Sequence, residues 1–262
     1  MGKTSIEYAD FVWNVTAGCE KVSPGCEHCY AERMAWRLCC SAGPLVYHHN
    51  PSPLRAYKRV VTNARWNGNV ATIPERLDDP LHWRKPRIVA VNLMADLFHP
   101  KVPARFILDV WRIMERCPQH VFLLLTKRAK RMDALLNSWP PAGHLFPPLS
   151  NVWPGVTICN QAEADRDLPY LLRCPAAHRW VSIEPSLGAI PRLPLDGISW
   201  AVLGGETGPG ARPCLAEWAL SIRDQCHASG VPFWLKQIDR FDGRPLPKEM
   251  PPELMALRKG KP

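Results

Sequence analysis

Three cysteines, Cys19, Cys26 and Cys29, lie within the stretch GCEKVSPGCEHCYAER at residues 18–33. Their spacing is Cys-x6-Cys-x2-Cys, and the stretch leads from an expected strand into an expected helix. Thiolates are soft ligands that suit zinc or an iron–sulfur cluster. Three ligands fall one short of a closed structural zinc site. They suffice for a [4Fe–4S] cluster that keeps one iron open. Zinc stays an alternative, with Cys39, Cys40 or a distant histidine as fourth ligand, and so does no metal at all. A bare Cys-x2-Cys also serves redox chemistry, but the third cysteine and the missing thioredoxin pattern argue against that. Cys117, Cys159, Cys174, Cys214 and Cys226 fall in patterned segments and read as small buried hydrophobes. His48 and His49 read as part of an irregular polar loop, while His82, His99 and His120 stand isolated.

The elements that must position these cysteines follow from hydrophobic period. Residues 11–16 suit a short strand, and 29–40 (CYAERMAWRLCC) a helix of good formers without Gly or Pro. Residues 41–86 read as an irregular insertion with room for a short hairpin. From there, strands are expected at 87–94, 121–126, 152–158, 179–185, 198–206 and 232–237. Helices are expected at 103–116, 127–138, 161–173 and 216–229, the first with Phe106, Ile107, Val110, Trp111 and Met114 on one face. Gly230 is a helix stop. The tail, 238–262, is Pro-rich and basic and reads as irregular. Strands alternating with helices predict an α/β fold with a parallel sheet, either a complete or partial (β/α) barrel or a doubly wound sheet. Polar residues gather where the strands end: Asn92 and Asp96, Thr126 with Lys127 and Arg128, Thr157 with Asn160 and Gln161, Ser182 and Glu184, Glu206, and Lys236 with Gln237. In barrels those ends build the active site.

Composition narrows the class. The chain has 262 residues, enough for one large α/β domain or two small ones, and 46% hydrophobic with 22% charged residues excludes wholesale disorder. No apolar run is long enough for a membrane span, and the N-terminal stretch lacks the apolar core of a secretory signal. Ten cysteines without an export signal point to the cytoplasm. Thirty-three Lys and Arg against 24 Asp and Glu give +9, which points to a polyanionic partner. The basic residues cluster at Arg55, Lys58, Arg59 and Arg65, at Arg84, Lys85 and Arg87, at Lys127, Arg128, Lys130 and Arg131, and at Arg258, Lys259 and Lys261.

The stretch IEYADFVWNVTAGCEKVSPGCEHCYAERMA resembles the phage-associated radical-SAM-like proteins grouped as the Gp37/Gp68 family. The resemblance continues through PERLDDPLHWRKPRIVAVNLMADLFHPKVP, FLLLTKR, NVWPGVTI, VSIEPSLG, LGGETGPGARP and VPFWLKQ, over about residues 5–237. It implies a radical S-adenosylmethionine (SAM) enzyme on a partial, TIM-like (β/α)6 barrel, here residues 1–237. Such enzymes hold a [4Fe–4S] cluster on the loop after the first strand, which makes Cys19, Cys26 and Cys29 the ligands. The usual spacing is Cys-x3-Cys-x2-Cys; here the first gap is six. An aromatic residue usually precedes the last cysteine and lies against the adenine. His28 stands there in this chain, and Tyr30 is the alternative. The mechanism that the resemblance implies has SAM chelating the open iron, one electron cleaving its sulfonium, and a 5′-deoxyadenosyl radical taking hydrogen from substrate.

By position, Asn92, Asp96, Thr126, Ser182 and Glu184 are further cofactor-binding candidates, Glu184 also a catalytic one. Gly204–Gly205–Glu206 resembles the Gly-Gly-Glu that binds the SAM amino group, although it follows a late strand; substrate and purely structural roles stay open for it. Lys127 and Arg128 suit a carboxylate or phosphate and are catalytic and substrate-binding candidates, with Arg212, Lys236 and Gln237 as further substrate-binding ones. Phage association and net charge point to a modified base in phage DNA, with remodelling of a glycyl-substituted thymidine, as by an isomerase, the sharpest form. A base in duplex DNA has to be flipped out or presented in an open strand. An electron donor such as flavodoxin or ferredoxin is implied. The alternatives are a radical SAM repair enzyme of spore-photoproduct-lyase type and a non-catalytic, zinc-stabilised nucleic-acid-binding protein.

Overall fold

The computed structural model describes residues 4–41, 54–137, 146–238 and 247–259. His48, His49 and Lys261 lie outside the described residues. The chain divides into two compact units, Met1–Val22 with Cys29–Phe122, and Ser23–His28 with Leu123–Pro262.

In the first unit the chain runs through β1 (Phe11–Trp13), β2 (Thr16–Ala17), α1 (Tyr30–Ser41), α2 (Arg55–Val60), β3 (Val61–Thr62), β4 (Arg65–Trp66), β5 (Ala71–Thr72), β6 (Ile88–Val91) and α3 (Ala104–Glu115). β1 pairs parallel with β6, Phe11 opposite Val89 and Trp13 opposite Val91. Every residue of β6 is buried, as expected of a parallel strand covered on both faces. The predicted apolar face of α3 is buried, together with Leu108 and Ile113. The described part of the insertion, residues 54–86, is more ordered than its composition suggests. β3 and β4 form an antiparallel hairpin, and β5 pairs antiparallel with β2. Tyr57, Val60, Val61 and Ile73 bury themselves with Ala31 and Ala35 of α1 in one apolar cluster. Charged residues between those apolar positions hid the pattern. Glu32, on the buried side of α1, pairs with Lys21 at 3.4 Å and accepts from the Trp66 amide at 2.8 Å.

β7 (Val121–Leu124) carries the chain into the second unit, which continues through α4 (Ala129–Asn137), β8 (Val152–Trp153), β9 (Gly155–Thr157), α5 (Gln161–Arg173), β10 (Trp180–Ile183), β11 (Trp200–Leu203), α6 (Ala216–Ala228), β12 (Phe233–Leu235) and α7 (Pro252–Lys259). The sheet order is β12-β11-β10-β9, all parallel, and Thr126 bridges parallel to Val156 of β9. Trp180, Gly155 and Trp200 stand side by side in register. The Trp180 indole occupies the space a Gly155 side chain would need and donates to the Leu124 and Trp153 carbonyls at 2.9 and 3.1 Å. α5 opens on Asn160, which accepts from the Glu163 amide, while Glu163 reaches back to the Cys159 amide. Gly230, at φ +67°, ends α6 as expected.

The tail is a correction. Residues 252–259 are helical, with Leu254 fully buried. The tail's prolines do not prevent this, because Pro252 stands at the first helical position, where a proline costs no hydrogen bond. The α/β class stands, with parallel sheets in both units, and the described residues show no closed barrel. Among them no helix is long and apolar enough to cross a membrane.

Candidate functional site

Cys19, Cys26 and Cys29 are each half-buried. Cys19 and Cys29 belong to the first unit and Cys26 to the second. Cys19 follows β2, its Sγ 3.5 Å from the Glu20 carbonyl oxygen. Glu20 pairs with Lys101 and lies 3.5 Å from Nε2 of the buried His99, which ties the start of the loop to the segment after β6. Cys29 packs against the apolar cluster of the insertion, and Tyr30, first residue of α1, donates to the Leu93 carbonyl at 2.9 Å. By donor type the three thiols fit a soft metal or cluster. Among the described residues no group of three His, Cys, Asp or Glu side chains that could hold a metal ion is found.

Asn92 has a structural job. It is buried at φ +60°, a left-handed conformation that Asn tolerates. Its Oδ1 accepts from the Val15 and Thr16 amides at 3.2 and 3.0 Å, and its Nδ2 donates to Thr16 Oγ1 at 2.7 Å. Asn92→Ala leaves two buried amides without acceptors and is expected to cost about 2 kcal/mol, read by urea unfolding. A cost near zero contradicts this role. Asp96 accepts from the Phe98 amide at 2.9 Å and so turns the same segment.

In the second unit the segment Ser23–His28 is held by the region after β11. Arg212 Nε and Nη2 grip the Glu206 carboxylate at 3.0 and 2.6 Å, and the Arg212 amide donates to it at 2.9 Å. The same guanidinium donates to the Pro24 carbonyl and to Glu27, each at 2.9 Å. His28 Nδ1 donates to Glu206 Oε2 at 2.9 Å. The Arg212 hydrogen bonds outweigh burial and hold the Glu206 carboxyl down to about 2. Glu206 and Arg212 thus satisfy each other, and both clasp the residues flanking Cys26.

The strand ends form a second polar group. Register sets Glu184 beside Gly204, and Gly204 beside Lys236, across β10, β11 and β12. Lys236 Nζ reaches Glu184 Oε1 at 2.9 Å over the intervening strand. Strands two apart are about 10 Å from each other, so the pair needs a bare position between them. Gly204 supplies it, since a Cβ there would stand 2.8 Å from Glu184 Oε1. Ser182 Oγ donates to Glu184 Oε2 at 3.1 Å, Lys127 Nζ to the Glu184 carbonyl at 3.4 Å, and Gln237 Nε2 to the Gly205 carbonyl at 3.0 Å. Thr126 is buried and accepts from the Arg128 amide at 2.9 Å, while the Arg128 side chain is half-buried.

Sequence reasoning missed Cys159 as a neighbour of this group. Its Sγ lies 4.0 Å from Lys127 Nζ and 3.7 Å from Ser23 Oγ, and Gly25 sits over it so closely that a Cβ there would overlap the sulfur. Burial pushes the thiol up to about 11 against the pull of Lys127, so it stays protonated at neutral pH. The Asn160-x2-Glu163 cap directly after a strand was the available signal. No curated protein and no solved structure matches the chain. Residues 3–252 match the family described as "Protein of unknown function (DUF5131)", and the chain belongs to that family.

Proposed function

We propose that this protein is a radical SAM enzyme acting on a modified pyrimidine of DNA, on a partial (β/α)6 barrel. The observation that carries the reading is the set of three half-buried cysteines on the connection from β2 to α1 in an α/β fold with parallel sheets. When bound, a [4Fe–4S] cluster supplies the electron that cleaves SAM reductively. Cys19, Cys26 and Cys29 are its ligands in this reading. Arg212 and Glu206 hold the residues around Cys26, and the backbone of the strand ends presents Glu184, Lys236 and Lys127. Lys236 and Lys127 provide positive charge for a carboxylate or phosphate of the substrate, and Glu184 an acceptor beside them. A flavodoxin or ferredoxin delivers the electron.

The test is low-temperature EPR of anaerobically purified, dithionite-reduced protein, with and without SAM. A reduced-cluster signal that changes on adding SAM is expected. Cys19→Ala, Cys26→Ala and Cys29→Ala each abolish it, whereas Cys159→Ala leaves it in place. An EPR-silent protein with stoichiometric zinc overturns the radical chemistry and favours a zinc-stapled nucleic-acid-binding protein. Mass analysis of modified phage DNA after turnover with SAM then tests the substrate, with irradiated DNA separating base remodelling from dimer repair.

A further inference from the structure

In the first unit, α1 turns an unusual face to solvent. Tyr30, Met34 and Trp36 are 51%, 38% and 36% exposed, among the few large apolar side chains so exposed in the described residues. Arg33 and Arg37 are exposed between and beside them. At 3.6 residues per turn Tyr30, Arg33, Met34 and Arg37 fall on one stripe, and Trp36 flanks it next to Arg33. The only acid of the helix, Glu32, points the other way, buried and paired with Lys21. The β3–β4 hairpin is bound to that buried side of α1 through the Trp66 amide.

We infer that this face of α1 binds a single-stranded segment of nucleic acid. Exposed rings alternating with guanidinium groups are what an unpaired strand needs, because every base has a face to stack and every nucleotide a phosphate to neutralise. Arg33 and Arg37 are separated by about 6 Å along the axis, a spacing that lets them serve successive phosphates. The helix is about 18 Å long and offers a stripe rather than a plateau. A stable protein partner would need roughly 800 Å² on its side. A strand needs only the stripe. The inference rests on the nucleic-acid part of the proposed function and is independent of its radical chemistry.

The experiment uses the full chain without cofactor and a fluorescein-labelled single-stranded DNA oligonucleotide, with anisotropy titrations at several salt concentrations. Arg33→Glu with Arg37→Glu is expected to weaken binding more than tenfold and to flatten the log–log salt slope by about 1.4, since each lost single-strand phosphate contact removes about 0.7. Trp36→Ala weakens binding without changing the slope. The control is Arg105→Glu with Arg112→Glu on α3, the same change in charge at exposed positions of the same unit. The inference is overturned if the control pair weakens binding as much as the α1 pair, or if the unaltered protein binds no oligonucleotide. It is also overturned if Arg33 and Arg37 matter for binding of a purified flavodoxin and not for the oligonucleotide. Loss of SAM-dependent EPR alone leaves the binding result standing, so the two readings fail separately.

Discussion

Arg212→Ala lowers stability at pH 7 by about 3 kcal/mol and removes part of the protein's acid sensitivity. Removing one member of a buried ion pair costs roughly 3–5 kcal/mol, and the lower end applies because the Arg212 side chain keeps 27% exposure. The pH dependence has a definite sign. Glu206 is held at about 2 rather than 4.5, so its contribution is complete above about pH 4.5 and is lost as pH falls through about 2. A carboxyl shifted that far contributes up to about 3 kcal/mol. In Arg212→Ala the carboxyl returns toward its ordinary range, and that segment of the acid profile flattens. Urea unfolding at pH 7, 5 and 3 measures both effects. Parallel acid profiles in the two proteins would show that the pair contributes nothing of the kind. The variant also releases the Pro24 carbonyl and Glu27, so amide exchange at Gly25 and Cys26 should speed up more than exchange in α5, which the variant does not touch.

Gly18→Ala is expected to cost about 2–6 kcal/mol. Gly18 has φ +90°, outside the comfortable range of an L side chain, which by itself costs roughly 1–3 kcal/mol. A Cβ there would overlap the Asn69 carbonyl oxygen and press on Val60 Cβ at 2.9 Å. The first neighbour is backbone and cannot rotate away, so overpacking adds a further 1–3 kcal/mol. Relief requires the segment around Asn69 to move off the β2–β5 pair. Gly230→Ala is the comparison: it has φ +67° but among the described residues meets nothing within 4 Å, so it reports backbone strain. Thermal unfolding of the two variants separates the terms, and equal losses would mean that the contact with Asn69 is not limiting. The altered backbone adjoins Cys19, so Gly18→Ala should also raise the rate at which that thiol reacts with a disulfide reagent.

The readable part of the fold was local. Helices at 103–116, 161–173 and 216–229 were legible within one residue or so of Ala104–Glu115, Gln161–Arg173 and Ala216–Ala228, because a 3.6-residue period is written in adjacent residues. Buried strands such as Ile88–Val91 were legible as unbroken apolar runs. The insertion and the tail helix were not, since their order comes from Tyr57, Ile73 and Leu254 finding distant apolar neighbours and not from any period. Within the candidate site, the three cysteines and the polar strand ends could be named from the chain.

What each of those residues does was decided in three dimensions. Arg212 reads as a substrate cation and is engaged by Glu206, Glu27 and Pro24; Asn92 reads as a ligand and stitches Val15 and Thr16. Glu184 and Lys236 meet only because register puts a glycine between them. Sequence by itself determined the α/β class, the cysteine loop and the basic charge, since composition, spacing and period are properties of neighbours along the chain. Tertiary structure alone decided which charges are matched, because partners such as His28 and Glu206 are 178 residues apart and nothing in either segment specifies the strand register that unites them.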